Sequence, residues 1–229
     1  MSNRRPARPV VGLACRTESR DRDVGAVDLG RLESFAEFHF AEFTRPSSWD
    51  EPPPHDAEAE TRLIEFSRGL DALIVCHGAP RVTDAVLAAC PSLRFVGELE
   101  GDRFARRIDV EAATARGVRA VDTTQGSSYP VSEWALAMML VGLRNAGSLF
   151  RRLIAHERVF EGGDRESDPG YLRGELTGKR VGLIGCGHIG RRLLELLAPF
   201  RTDVLVHDPY IPREIADIYD VTLTSLDNV

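Results

Sequence analysis

The sequence of 229 residues carries 35 acidic and 29 basic side chains, and its formal net charge of −6 argues against a nucleic-acid partner. Apolar residues make up 43% of the chain and charged residues 28%, which is typical of packed cores beneath a solvated surface. No apolar run reaches the length of a membrane span. We therefore expect a cytoplasmic protein with no membrane or metal partner, whose cysteines are buried thiols without metal or disulfide spacing: Cys15, Cys76, Cys90 and Cys186.

Short apolar runs alternate with amphipathic segments through the first half of the chain. Strands are predicted over residues 10–15, 35–43, 72–76, 94–96 and 118–121, and helices over residues 57–68, 84–90 and 109–116. Thr83 caps the second of these helices, while Gly69 and Gly117 end the first and the third. Strands that alternate with helices form a parallel sheet covered on both faces, so residues 1–125 are expected to form one α/β domain.

Residues 123–129 (TTQGSSY) are polar and rich in turn formers, which indicates a crossing between two domains. A long helix is predicted from Val131 to about Asn145, with Pro130 in its first turn. Helical character resumes through His156, and residues 161–170 (EGGDRESDPG) are predicted to be a solvated loop. The long helix carries an apolar stripe, typical of core or interface surface, at Trp134, Ala135, Met138, Val141 and Leu149.

A glycine-rich motif follows, in the stretch KRVGLIGCGHIG from Lys179 to Gly190. Gly185, Gly187 and Gly190 have the spacing G-x-G-x-x-G between a predicted strand, residues 180–184, and a predicted helix. In a dinucleotide site the first glycine allows the tight turn, the second lets a pyrophosphate approach the backbone, and the third lets helix and strand pack closely. The helix would direct its free N–H groups at the phosphates. The alternative is a buried strand–turn–helix without a ligand.

A carboxylate follows the next predicted strand, residues 204–207, at Asp208. An acid at this distance from the glycine motif hydrogen-bonds the adenosine ribose hydroxyls in dinucleotide-binding domains. It would repel a 2′-phosphate, so the sequence favours NAD over NADP, although Arg213 keeps NADP open.

Three segments resemble the D-isomer-specific 2-hydroxyacid dehydrogenase family. LRFVGE…RIDVEAATARGV is similar to its substrate-domain strand and helix, and YPVSEWALAMMLVGLRN is similar to its linker helix. GELTGKRVGLIGCGHIGRR…VLVHDP resembles its cofactor-binding opening. The resemblance implies an α/β protein with a flavodoxin-like substrate domain (residues 1–125), then a linker helix and an incomplete, doubly wound Rossmann NAD-binding domain (residues 126–229). It further implies hydride transfer between a 2-hydroxy acid and its 2-oxo acid, in a homodimer.

The same resemblance assigns roles to individual positions. His188 and Ile189 match the pair whose backbone meets the pyrophosphate, and Asp208 matches the acid that binds the ribose. Val131 matches a linker-helix residue close to the nicotinamide, and Ser127 aligns with a position that often faces the substrate.

The loop after the fourth strand departs from the family pattern. A short glycine-rich loop there usually holds the substrate carboxylate, whereas this chain has Glu98, Leu99 and Glu100 in a loop about two residues longer. The carboxylates would repel an acid unless they turn to solvent or pair with a nearby arginine, which could be Arg103, Arg106 or Arg107. His77, in the turn after the third strand, is a further candidate substrate contact, with an ordinary loop histidine as the alternative.

The family's catalytic arginine, glutamate and histidine lie in the later half of the Rossmann domain, beyond Val229. We therefore expect no catalytic residue within the chain, which looks like an inactive fragment. We also expect an apolar open edge along the strand at residues 180–184. The alternative function is a non-enzymatic NAD-binding or dimerisation module. A third possibility is a broken reading frame with no stable product. The sequence names neither the 2-hydroxy acid nor the direction of the reaction.

Overall fold

The computed structural model describes residues 8–46, 48, 51–100, 104–158, 171–172 and 174–229. The loop predicted at residues 161–170 lies outside these residues, as does Arg103. The chain divides into two compact units, Met1–Thr124 and Gln125–Val229. In the described part, no helix is both long and apolar enough to cross a membrane.

The first unit is a parallel five-stranded sheet with strand order β2-β1-β3-β4-β5. This is the flavodoxin-like order of a doubly wound sheet, so the predicted fold class is confirmed. The strands are β1 Val10–Cys15, β2 Glu37–Glu42, β3 Ala72–Val75, β4 Phe95–Glu98 and β5 Arg119–Val121. The helices are α1 Thr17–Asp23, α2 Ala26–Phe35, α3 Ala57–Ser67, α4 Asp84–Ala89, α5 Phe104–Arg107 and α6 Val110–Ala115.

Side-chain caps define where three helices of this unit begin. Asp56 accepts a hydrogen bond from the backbone N–H of Ala59 at 2.9 Å at the start of α3, and Thr83 accepts one from Val86 at 3.3 Å at the start of α4. Asp109 does the same for α6. Each such cap contributes about 1 kcal/mol, because it satisfies an N–H that has no partner within the helix.

The core of the first unit is formed by aliphatic side chains between the sheet and its helices. Each is almost completely withdrawn from water, which stabilises the fold by about 1.5–3 kcal/mol per side chain. The innermost members are Leu63, Leu73, Val75, Val96 and Ile108.

The second unit contains a parallel three-stranded sheet with order β6-β7-β8. This order matches one half, 3-2-1, of the six-stranded dinucleotide-binding fold. Its strands are β6 Arg180–Ile184, β7 Asp203–His207 and β8 Thr222–Leu223. Its helices are α7 Ser128–Leu143, α8 Ala146–Ile154, α9 His188–Leu197 and α10 Arg213–Tyr219.

Strand β6 lies at an edge of this sheet, as the sequence predicts. Within the described residues it pairs with β7 alone, and its last side chain, Ile184, is 68% exposed. Its inward side chain, Val181, packs with Leu193, Leu197 and Val206 in the core of the unit. The strand therefore has one apolar side covered and one open edge.

Helix α7 is apolar on more than one face. Ala135 and Met139 pack against the core of the second unit, whereas Trp134 is 64% and Met138 41% exposed. The predicted stripe is thus divided between core and surface. The helix also begins three residues before the predicted Val131, and a left-handed Asn145 (φ 54°) separates it from α8.

Candidate dinucleotide site

The glycine-rich turn joins β6 to α9 in the manner that the motif predicts. Gly185 has a φ of 87°, in the left-handed region that favours glycine, and its N–H donates to the His207 carbonyl at 2.8 Å. Gly187 is the N-cap of α9, and a Cβ added to it would meet no atom within 4 Å. A Cβ on Gly190 would lie 2.7 Å from the Gly185 carbonyl oxygen. The first glycine therefore makes the turn, the second leaves the approach open, and the third allows helix and strand to pack.

Asp208, at the end of β7, is tied to this turn by its own carboxylate. Oδ2 accepts a hydrogen bond from the Cys186 backbone N–H at 2.7 Å, and Oδ1 accepts one from the Tyr210 N–H at 2.8 Å. These bonds, the Cys186 bond first, hold the pKa of Asp208 below its usual value. The ionised oxygens keep free lone pairs for ligand hydroxyl groups.

Cationic and polar side chains surround the first residue of α9. His188 Nε2 lies 3.3 Å from Gln125 Nε2, and His188 Nδ1 lies 3.5 Å from Arg191 Nη2. Arg191 is anchored by its Nε, which donates to the Gly187 carbonyl at 3.2 Å. The neighbouring Ile189 side chain is 38% exposed. Free N–H groups and positive charge thus meet at one helix end, an arrangement that suits phosphate.

The turn, the helix N-terminus and the acid after the next parallel strand together define a dinucleotide-binding unit of the Rossmann class. Residues 136–229 match the family model described as "D-isomer specific 2-hydroxyacid dehydrogenase, NAD binding domain". Residues 136–229 are thus similar to the NAD-binding domain of this family, and NAD is the cofactor of the matched domain.

Curated relatives agree with this assignment. The chain is 33% identical over 161 residues to the D-3-phosphoglycerate dehydrogenase of Methanocaldococcus jannaschii, covering 70% of this chain and 29% of the relative. It is 34% identical over 162 residues to the putative 2-hydroxyacid dehydrogenase YoaD of Bacillus subtilis, covering 68% of this chain and 44% of the relative. The chain thus spans less than half the length of these relatives.

Solved structures share the fold. A phosphoglycerate oxidoreductase from Rhizobium etli superposes with a TM-score of 0.74 at 22% identity, covering 97% of this chain and 63% of that one. The NAD complex of a D-isomer specific 2-hydroxyacid dehydrogenase from Lactobacillus delbrueckii superposes with a TM-score of 0.63 at 15% identity, over 96% of this chain and 59% of that one.

In the first unit, the structure brings three of the predicted substrate-site residues together. His77 follows β3, Glu98 ends β4 and Glu100 follows it, and all three contact Arg107 of α5. We call these four residues the buried quartet. Arg107 Nε bonds Glu98, while its Nη2 lies 2.9 Å from Glu100 Oε2 and 3.2 Å from His77 Nδ1. Of the arginines named as possible partners, Arg107 therefore takes up both carboxylates.

Burial dominates the electrostatics of the quartet. It raises the pKa of Glu98 to about 7 against the opposing effect of Arg107, and Glu98 Oε2 has no hydrogen-bond partner in the described structure. Burial also lowers the pKa of His77, against the effect of Glu100. His77 Nε2 forms an ion-pair contact with Glu100 Oε1. Both ring nitrogens of His77 thus face charged neighbours.

The remaining predicted site residues are dispersed. Leu99 is partly buried against Leu13, Cys15 and Cys76 in the first unit. In the second unit, Ser127 ends an exposed 3₁₀ turn before α7, and Val131 is 42% exposed on α7.

Two contacts of the second unit were not predicted from the sequence. Gln125 lies 63 residues from His188 in the chain, and no motif links the two positions. The Cys186 N–H is a backbone group, so its bond to Asp208 leaves no trace in residue types.

Proposed function

We propose that this chain is part of an NAD-dependent 2-hydroxyacid dehydrogenase, which transfers hydride between a 2-hydroxy acid and its 2-oxo acid. The observation that carries the proposal is the Asp208 carboxylate bonded to the glycine turn at the N-terminus of α9. The match of residues 136–229 to the family model and the names of the relatives support the reaction class.

In this proposal the second unit holds the cofactor, which accepts or donates the hydride. The open backbone at Gly185, Gly187 and Gly190, with the N–H groups of His188 and Ile189, binds the pyrophosphate. Asp208 accepts hydrogen bonds from the ribose hydroxyls and disfavours a 2′-phosphate. Val131, exposed on α7, lies toward the nicotinamide end.

On the substrate side, His77, Glu98 and Glu100 lie at the carboxyl ends of β3 and β4. Ligands of open parallel sheets bind at this edge, which supports a substrate contact there. Leu99 and Ser127 are the further proposed contacts. Because both His77 nitrogens face charged neighbours, we assign the quartet to shaping the strand ends and not to proton transfer. The cation that holds the substrate and the acid that protonates the alkoxide are assigned to no residue of this chain.

A homodimer is part of the proposal. Trp134, Met138 and Val141 are each at least 40% exposed on α7, although they are apolar. An exposed apolar surface on a long helix is typical of a protein interface. We also propose a cytoplasmic location, supported by four free, buried thiols.

The test is to assay the purified chain with NADH against a panel of 2-oxo acids, together with titration of NAD by calorimetry. The whole enzyme is expected to bind NAD and to oxidise NADH with one of the 2-oxo acids in the panel. An NAD-binding or dimerisation module is the second candidate, because the family model matches only residues 136–229. That candidate predicts NAD binding with no turnover in a protein that contains the complete reading frame. Failure to bind NAD would contradict both.

A further inference from the structure

A cavity of about 210 Å³ lies within the first unit, beside the segment that follows β3. Its lining includes three consecutive prolines, Pro52–Pro54, together with Arg81 and Thr83 from that segment and Asp56 and Glu60 from the start of α3. The cavity is several times larger than the volume of about 30 Å³ that a water molecule occupies in the liquid. It therefore has room for a small organic molecule.

Arg81 contributes a permanent positive charge to this cavity. Its side chain is partly buried, and within the residues that the structure describes it forms no hydrogen bond or ion pair; its Nε is buried without an acceptor. The flanking Pro80 and Val82 are both buried, and the Val82 N–H donates to the Arg107 carbonyl at 2.7 Å, so the backbone that carries Arg81 is held in place. A guanidinium with restricted access to water is stabilised by an anionic acceptor, and this part of the chain provides none.

The Glu60 carboxylate contributes a negative charge to the same cavity. Glu60 is partly buried, and its Oε1 accepts a hydrogen bond from the Thr83 hydroxyl, but among the described residues no cation forms an ion pair with it. Arg81 and Glu60 therefore line one cavity without pairing with each other. Asp56, the other acid of the lining, is already used, because it pairs with Arg45 and caps α3.

We propose that this cavity binds a free α-amino acid, a ligand that carries both of the charges that Arg81 and Glu60 lack. The ligand carboxylate accepts hydrogen bonds from the Arg81 guanidinium, the ammonium group donates to Glu60, and the side chain packs against Pro52–Pro54. A simple anion pairs with Arg81 but is repelled by Glu60, and a simple cation meets the reverse situation, so a zwitterion is favoured. The inference is independent of the dinucleotide site, because all of these residues belong to the first unit.

The experiment is titration of the full chain with L-valine, followed by NMR saturation transfer from the protein to the ligand protons. We expect saturable binding with a dissociation constant on the order of 1 mM, which is usual for a ligand of so few atoms. Two analogues of similar shape test the ligand class: 3-methylbutanoate lacks the ammonium group, and 2-methylpropylamine lacks the carboxylate. Each analogue should bind about tenfold or more weakly than L-valine, because it loses a hydrogen bond between charged groups.

Two variants assign the binding to the charged pair. Arg81→Gln and Glu60→Gln each remove one charge and should weaken L-valine binding about tenfold or more. Glu60→Gln keeps an oxygen that can accept from the Thr83 hydroxyl, so the contact between α3 and the start of α4 is retained. The matched controls are Arg68→Gln and Glu65→Gln, which change exposed residues near the C-terminal end of α3 and should leave the affinity unchanged. Circular dichroism verifies that each variant is folded.

Equal affinity for 3-methylbutanoate and L-valine would overturn the inference, because it would show that Glu60 takes no part in binding. An L-valine affinity that is unchanged in folded Arg81→Gln would overturn it as well. So would the absence of saturable binding by both L-valine and glycine, since glycine has no side chain that the cavity could exclude. Each of these results leaves the proposed function intact, because NAD binding depends on the second unit.

Discussion

Glu98, Glu100 and Arg107 in the first unit are almost completely withdrawn from solvent and pair with one another, whereas His188, Arg191 and Asp208 in the second unit remain accessible. Both groups lie at the carboxyl ends of parallel strands. Buried charges must be paired to be tolerated, and their pairing fixes the strand ends of the first unit. The charges of the second unit retain unused hydrogen-bonding capacity at the glycine turn, which makes that unit the one suited to bind an anion.

The largest expected effect comes from removing the shared cation of the quartet. Arg107→Ala leaves two carboxylates buried without a counter-charge, and should lower the free energy of unfolding of the first unit by about 3–5 kcal/mol. Denaturant unfolding followed by circular dichroism measures it. Arg106→Ala, on the same short helix and only partly buried, is the matched control. A loss below about 1 kcal/mol for Arg107→Ala, the range of an exposed pair, would show that the quartet is not a buried charge network.

Removing the acid of the second unit should weaken a ligand and leave the first unit unchanged. Asp208→Ala is expected to reduce NAD binding by about 1–3 kcal/mol, because it removes charged hydrogen bonds to the ribose. Calorimetric titration with NAD measures the affinity. The control is Glu214→Ala, which removes an exposed acid of α10. Equal affinity for NAD in the two variants would show that Asp208 does not contribute to NAD binding.

The quartet should also make the stability of the first unit depend on pH. The folded pKa of Glu98, about 7, lies above its ordinary value of 4.5, so its contribution is complete below pH 4.5 and is lost as pH rises through 7. His77 acts oppositely, because its lowered pKa costs stability as pH falls below 6.5. Between about pH 6.5 and 8 the Glu98 effect therefore remains, as a further loss of about 0.8 kcal/mol.

Unfolding at several pH values tests this expectation. Glu98→Gln should flatten the decline above pH 6.5, while Glu65→Gln, at an exposed position of α3, should not. A stability that does not decline over this range would mean that Arg107 outweighs burial at Glu98.

The smallest expected effect on folding belongs to the exposed face of α7. Met138→Asp places a charge on an accessible surface, so it should leave each unit folded and convert the proposed dimer to monomer in light scattering. The control is Leu140→Asp, because Leu140 is 37% exposed and lies on another face of the helix. A dimer that persists in Met138→Asp would assign the interface elsewhere.

Much of the fold could be predicted because caps and apolar runs are local signals. Thr83 marks the start of α4, and the strand at residues 180–184 is found where the sequence predicts it. The sequence does not predict helices α1, α2, α5 and α10. Helix α5 has only four residues, α2 buries no side chain completely and α10 buries only Ala216. A short helix with so little apolar pattern resembles a polar loop in sequence.

The two sites differ in how much of their geometry could be predicted from the sequence. The glycine turn and Asp208 were predictable, since they belong to one strand–turn–helix–strand unit with fixed spacing. Glu98, Glu100 and His77 could be singled out individually, but their meeting around Arg107 depends on the pairing of β3 with β4. Which residues of α7 face inward could not be read either, because both of its faces are apolar.

The measurement that tests the central claim most directly is calorimetric titration of the unmodified chain with NAD⁺ and, separately, with NADP⁺. An Asp208 carboxylate aimed at the ribose predicts NAD⁺ binding, tighter than NADP⁺ binding by about tenfold or more, equivalent to at least about 1.4 kcal/mol. Tighter binding of NADP⁺, or no binding of either dinucleotide, would contradict the assignment of this turn and acid to NAD.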